Sequence, residues 1–263
     1  MNIFEALFLG VLQGITEFLP VSSSGHLVIA QYFMEGFKQP GMLYDTLLHL
    51  ATLLAVLIFF RKRVALLFKA FFGIFVQEYS IYYFENKRFL WGIIIASVPT
   101  ALIGLYLEQY VISCFQSPAP VGYALILTSI LLIISDKFKG EGHLTTGKSI
   151  IIGIVQGLAV IPGISRSGST IAAGVILGIR REEMAEFSFL LSVPAIIGAT
   201  ILQLGHLNVV SPTELMIYTV GMAGAFVSGI IAIGFMMYLV RNAQLKYFAL
   251  YCLLAGIISV VVL

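Results

Sequence analysis

The stretch "GIVQGLAVIPGISRSGS", Gly153–Ser169, decides how this chain folds. It opens an apolar segment in which Arg166 is the sole charge between Gly153 and Ile179. "PGISRSG" interrupts that segment after a short arm. Ser149–Ile161 would make roughly 20 Å of helix at about 1.5 Å per residue, and a bilayer's hydrocarbon core is about 30 Å thick. Such arms suit a hairpin that enters and leaves on the same side. A kinked full span is the alternative reading.

A second stretch matches the first without a gap, 143 residues earlier. "GVLQGITEFLPVSSSGH" runs from Gly10 to His26. Identical pairs are Gly10/Gly153, Gln13/Gln156, Gly14/Gly157, Ser22/Ser165, Ser24/Ser167 and Gly25/Gly168, and Ser23 stands in register with Arg166. Residues 3–34 therefore read as another hairpin, broken at "PVSSSG". Small residues that merely help helices pack would explain the glycines but not the Arg, Glu and His.

Composition sets the surroundings. The chain is 59% hydrophobic and 11% charged, with a mean hydropathy of +1.01. Soluble domains carry about 25% charged residues, so this is an integral membrane protein. Apolar runs near 42–60, 89–107, 120–136, 184–204, 214–239 and 247–263 read as six spans. With both hairpins re-entrant, the 61–88 and 137–148 loops, Arg180, Arg181, Arg241 and Lys246 share one side. Every Lys and Arg then lies inside except Lys38, which is outside, and Arg166, which is in the membrane. The outer loops 108–119 and 205–213 carry neither residue type. That is the positive-inside pattern.

Each half is a hairpin followed by three spans, an odd number, so the second half is inverted. The fold expected is an all-α integral membrane protein, with six transmembrane helices plus two re-entrant helical hairpins arranged as inverted repeats. It is one membrane domain over 1–263, with halves of about 1–140 and 141–263. Inverted repeats with broken helices place the ligand near the midplane, where the breaks meet. The opening "MNIFEALFLG" lacks a basic n-region and carries Glu5, so it is not read as a cleaved signal peptide. Cys114 and Cys252 suggest neither a metal site nor a disulfide framework.

The breaks carry the chemistry. The second arm of each hairpin begins just after Ser, a good N-cap, so two helix N-termini point at the midplane and favour an anion. Arg166 adds a planar, permanently charged fork suited to phosphate. Ser165, Ser167, Ser169 and Thr170 surround it with hydroxyls. The competing reading is that Arg166 pairs with Glu17 and only staples the halves. Gln13 and Glu17, four apart, share a helix face. A carboxylate beside an anion site repels phosphate, so binding alone does not account for it. As a metal ligand or a base it fits hydrolysis. "SSSGH" supplies Ser22, Ser23, Ser24 and His26. His26 is a candidate acid or base, since its reference pKa of about 6.5 suits neutral pH. Ser23 is a candidate nucleophile or a phosphate donor. Asp45 and His49, again four apart, read as support further from the chemistry. Glu186 has packing and capping readings as well as functional ones. The aromatic segment 72–88 reads as interfacial, with no chemistry assigned.

On these residues the chain resembles the undecaprenyl-diphosphate phosphatase family, also called bacitracin-resistance proteins. The family pattern (E/Q)xxxE matches Gln13–Glu17, PGxSRSxxT matches Pro162–Thr170 in full, and "FLPVSSSGH" and "EFSFLLSVPA" look like family blocks. Gln13 stands where Glu is frequent, which leaves a metal role at that position open. The resemblance implies hydrolysis of undecaprenyl diphosphate to the monophosphate and phosphate, with a divalent cation, Mg2+ or Ca2+. It also implies a bacterial plasma-membrane location and a site opening to the outer face. The partners expected are the lipid diphosphate and the membrane, with no nucleic acid and with homodimerisation open. A PAP2-type acid phosphatase with PSGH and SRxxxxxHxxxD motifs fails, because Ala172 stands where its His would be and no KxxxxxxRP is present. The non-enzymatic alternative is a lipid-phosphate flippase.

Overall fold

The computed structural model describes residues 1–34, 42–114, 118–203, 211–241 and 245–262. Among them the architecture is helical, with one isolated bridge between Gly142 and Ile179. Helix α1 (Ile3–Phe18) starts on a capping box, Asn2 Oδ1 accepting from the Glu5 amide and Glu5 from the Asn2 amide. It stops before Pro20, where the chain is pushed out of helical backbone. Helix α2 (Ser23–Tyr32) follows at once. The second such pair is α7 (Thr146–Leu158), capped by Thr145, and α8 (Arg166–Ile176), capped by Ser165. Between them come α3 (Met42–Phe59), α4 (Arg61–Phe72), α5 (Ser80–Cys114) and α6 (Pro118–Asp136). After them come α9 (Arg181–Gln203), α10 (Pro212–Arg241) and α11 (Leu245–Val261).

Each of the six expected spans coincides with a helix. Four helices, α5, α6, α9 and α10, are long and apolar enough to cross a membrane. A fifth is gained if α3 and α4, which meet at an 83° bend, count as one broken span. Helix α11, at 17 residues, is shorter. One expectation is corrected. The 61–88 segment is not a loop: it forms α4, a 3-10 turn at Gln77–Tyr79 and the first turns of α5. With 35 residues, α5 runs beyond both ends of the expected span 89–107; a helix of that length is about 50 Å long at about 1.5 Å per residue. Lys38 and most of the 205–213 loop lie outside the described residues.

Helix α1 packs along α10 and α7 packs along α5. Small residues make the close approach. A Cβ on Gly10 would overlap the Gly221 carbonyl of α10, and one on Gly153 would overlap the Ala96 carbonyl of α5. These glycines are an identical pair of the repeat. In lipid, association rests on close packing rather than on water exclusion, and small residues permit it. Helix α3 lies against α9 and α10, α6 against α11, and α8 against α6 and α9. Phe18, at the end of α1, meets Phe189 of α9 edge-on at 5.5 Å, beneath the broken segments.

Candidate active site

The two breaks face each other. The Gly163 amide donates to Ser22 Oγ at 3.1 Å, and Ser167 Oγ donates to the Leu19 carbonyl at 3.1 Å. Gly163 has φ +96, a backbone that only glycine adopts without strain, and a Cβ there would also strike the Val121 carbonyl. Ser22 is the one described non-glycine residue with positive φ, at 68. Backbone of that kind costs of order 1–3 kcal/mol and persists where its surroundings hold it. Ser22 is held by bonds from the Gly25 and Gly163 amides to its Oγ and by the His26 ring on its carbonyl. Thr128 braces the other break, donating to the Gly163 carbonyl and accepting from the Ser165 amide.

A cavity of about 250 Å³ opens at this junction. Its polar wall is Glu17, Ser22–Ser24, Asp45, Thr46, His49, Thr100, Gln156, Ser165 and Arg166, and its apolar wall includes Val160, Ile164 and Ile196. Both helix N-termini, of α2 and α8, border it. Thr100 and Ala195, also in its lining, directly follow Pro99 and Pro194, prolines inside the continuous helices α5 and α9.

Glu17 is the hub. It is buried, and its Oε1 accepts from Arg166 Nη2. Its Oε2 accepts from Ser23 Oγ at 2.5 Å and Gln13 Nε2 at 2.9 Å, and His49 Nε2 lies 3.5 Å away. The His49 Nδ1–H donates to the Asp45 carbonyl one turn back, which turns Nε2 toward the carboxylate. This is a hydroxyl on a carboxylate with a guanidinium alongside, the kinds of group that can serve as nucleophile, base and anion holder.

Of the residues expected from sequence, Glu17, Ser22, Ser23, Ser24, Ser165 and Arg166 meet at the cavity. Gln13 stands behind Glu17, its Oε1 buried and without a partner among the described residues. Ser167, Ser169 and Thr170 lie off the cavity. Ser167 ties the breaks together, Thr170 bonds Ser188 Oγ at 2.6 Å, and Ser169 Oγ is buried with no partner among the described residues. His26 also lies off it. Its Nε2 meets Tyr251 Oη of α11 at 2.6 Å, and the rings stack. The imidazole beside Glu17 is that of His49, which the sequence placed further out. Thr46, Thr100 and Gln156 line the cavity in addition to the residues expected from sequence. Gln156 carried a signal, its identity with Gln13 in the repeat.

Among the described residues no three His, Cys, Asp or Glu side chains converge as a metal site. The carboxylates in the lining are Glu17 and Asp45, whose Oδ2 is buried and without a partner among the described residues. Mg2+ commonly takes one or two carboxylates plus the substrate's phosphates. The residues thus fit an ion that arrives with a diphosphate, and do not fit a preformed cage.

The family model described as "Bacitracin resistance protein BacA" matches residues 6–258. The chain is 42% identical over 260 residues to an undecaprenyl-diphosphatase of Syntrophotalea carbinolica, covering 97% of each chain. It is 42% identical over 266 residues to one of Treponema denticola, covering 98% of this chain and 96% of the other. To one of Korarchaeum cryptofilum it is 39% identical over 262 residues, covering 98% of each.

Proposed function

Because the chain belongs to the bacitracin resistance protein BacA family, we propose that it hydrolyses undecaprenyl diphosphate to undecaprenyl phosphate and inorganic phosphate. That reaction recycles the lipid carrier of cell-wall synthesis and confers bacitracin resistance. The observation that supports this chemistry most is the Ser23 Oγ–Glu17 Oε2 hydrogen bond beside Arg166.

Arg166 and the N-termini of α2 and α8 hold the diphosphate. As the guanidinium turns from Glu17 to phosphate oxygens, Glu17 loses a competing partner and becomes the stronger base. Ser23 gives its proton to Glu17, and its Oγ bonds to the terminal phosphorus. The bond from that phosphorus to the bridging oxygen breaks, and undecaprenyl phosphate leaves. Glu17 passes its proton to the departing undecaprenyl phosphate and then takes one from a water whose oxygen bonds to the phosphoserine phosphorus. The phosphorus–Oγ bond breaks, Glu17 returns the proton to Ser23 Oγ, and inorganic phosphate leaves. His49 Nε2 faces the same Glu17 carboxylate from α3. A divalent cation, Mg2+ or Ca2+, supplies charge neutralisation on the diphosphate when bound. Glu17 and Asp45 are the residues that would hold it, with Gln13 behind them. A transporter alone has no use for a hydroxyl poised on a carboxylate.

The architecture that goes with this reading is six spans and two re-entrant hairpins in inverted halves. It is supported by the matching α1–α10 and α7–α5 contacts at Gly10 and Gly153. The membrane is the plasma membrane, with the basic face inside and the cavity open to the outer face. The decisive experiment is a rapid-quench search for phosphoserine in purified protein turning over labelled lipid diphosphate. Label on Ser23, lost in Ser23→Ala together with turnover, is the expected result. Full turnover by Ser23→Ala would hand the attack to water and leave Glu17 as its base.

A further inference from the structure

Helix α4 lies nearly perpendicular to α3, and its inner side is fully committed. Val64 and Leu67 pack on the core and Ala70 is buried. Arg63 Nε lies 2.7 Å from Glu186 Oε1 of α9, its Nη1 donates to Asn86 Oδ1 at 2.7 Å, and its guanidinium covers Phe89. The turn after α4 is tight, since a Cβ on Gly73 would overlap the Tyr79 carbonyl. The outer face therefore cannot roll inward. On that face Arg61, Ala65, Phe68 and Phe72 follow at helical spacing, with Lys62 and Lys69 on the adjoining strip. Phe68, Phe72 and Phe75 are 63%, 51% and 75% exposed. From Arg61 to Arg88 there are six Lys and Arg against Glu78 and Glu85, and α4 itself has no acid.

A rigid helix at right angles to a span, aromatic along one edge and cationic along the other, has the features of an interfacial helix. Clusters of four or more Lys and Arg beside a span bind anionic headgroups. We infer that α4 and the turn Gly73–Val76 form a docking surface for an anionic phospholipid leaflet. Phe68, Phe72 and Phe75 enter the acyl boundary, and Lys62 and Lys69 take the headgroup phosphates. Anionic lipid is favoured over a second copy of the chain because, among the described residues, no carboxylate pairs with Lys62 or Lys69, Lys69 resting over the Tyr82 ring at 5.0 Å, and a like cationic face would repel it.

The test uses the full chain in lipid nanodiscs. Trp91 is the only tryptophan, so Phe72→Trp in a Trp91→Phe background is a sole reporter, with Phe75→Trp as a second in case the first does not fold. Tail-brominated phosphatidylglycerol is compared with equally brominated phosphatidylcholine, each as the same minor share of the bilayer. Each lysine near an anionic surface enriches it by roughly five-fold, so quenching should be at least about two-fold stronger with the glycerol lipid. Lys62→Gln/Lys69→Gln should abolish that excess while leaving quenching by phosphatidylcholine in place. Equal quenching by both lipids, unchanged by the lysine replacements, would overturn the proposal. So would an absence of quenching in particles that hold two copies, which would give the face to a second chain.

Discussion

Arg166 engages Glu17 through one nitrogen, while its guanidinium carries five N–H donors in a planar fork. Arg166→Lys keeps the charge and loses the fork. Turnover should fall about 10²–10³-fold, the loss typical of removing one transition-state donor, with the protein still folded in detergent. Near-normal turnover would restore the reading in which the pair only staples the halves. His26 gives a different expectation. Its Nδ1–H donates to the Ser22 carbonyl and its Nε2 accepts from Tyr251, so it anchors the strained break. His26→Ala should lower turnover by the same factor at every pH, and Tyr251→Phe should reproduce part of the loss. A loss that changes with pH would make His26 a proton carrier instead. Glu17, Ser23 and Arg166 were legible in sequence because charge and a serine cluster are conspicuous in apolar segments. The division of labour between His26 and His49 was not. Each lies on a helix near the break, and only the helix's rotation about its axis decides which imidazole faces Glu17.

At the scale of elements, the repeat's glycines are contact points. Gly10→Leu would drive a side chain into the backbone of α10 and Gly153→Leu into that of α5. Overpacking costs typically about 1–3 kcal/mol, occasionally more. Both variants should melt earlier in detergent, and Gly147→Leu should not, because a Cβ at Gly147 meets nothing within 4 Å. Equal melting of all three would remove these glycines from the packing argument. The breaks between α1 and α2 and between α7 and α8 were legible because Pro and Gly end helices by local sterics. Helix α4 was missed. Its basic residues look like a loop, and its apolar residues acquire a face only against α5 and the core.

For the whole molecule, single cysteines at Lys148 and Arg180 should label from the same side, opposite to one at Asn2. Labelling at Lys148 and Arg180 from opposite sides would make α7–α8 a full span and end the inverted arrangement. A chelator should stop turnover yet leave the melting temperature unchanged, because among the described residues no preformed cage links a metal to folding. A chelator that destabilises the ligand-free protein would point to a structural ion.

Sequence by itself determined that the chain lives in a membrane, that it breaks twice in matching places, and that an isolated arginine and glutamate belong to those breaks. Each of these follows from local rules: apolar length, the positive-inside bias, and the conformations Pro and Gly permit. Tertiary structure alone decided that Glu17 of α1 and Arg166 of α8, 149 residues apart, share a bond. It alone put Ser23 on the same carboxylate, and His49 rather than His26 beside it. Such contacts depend on how helices rotate and pack against distant partners, and spacing along a chain does not encode that.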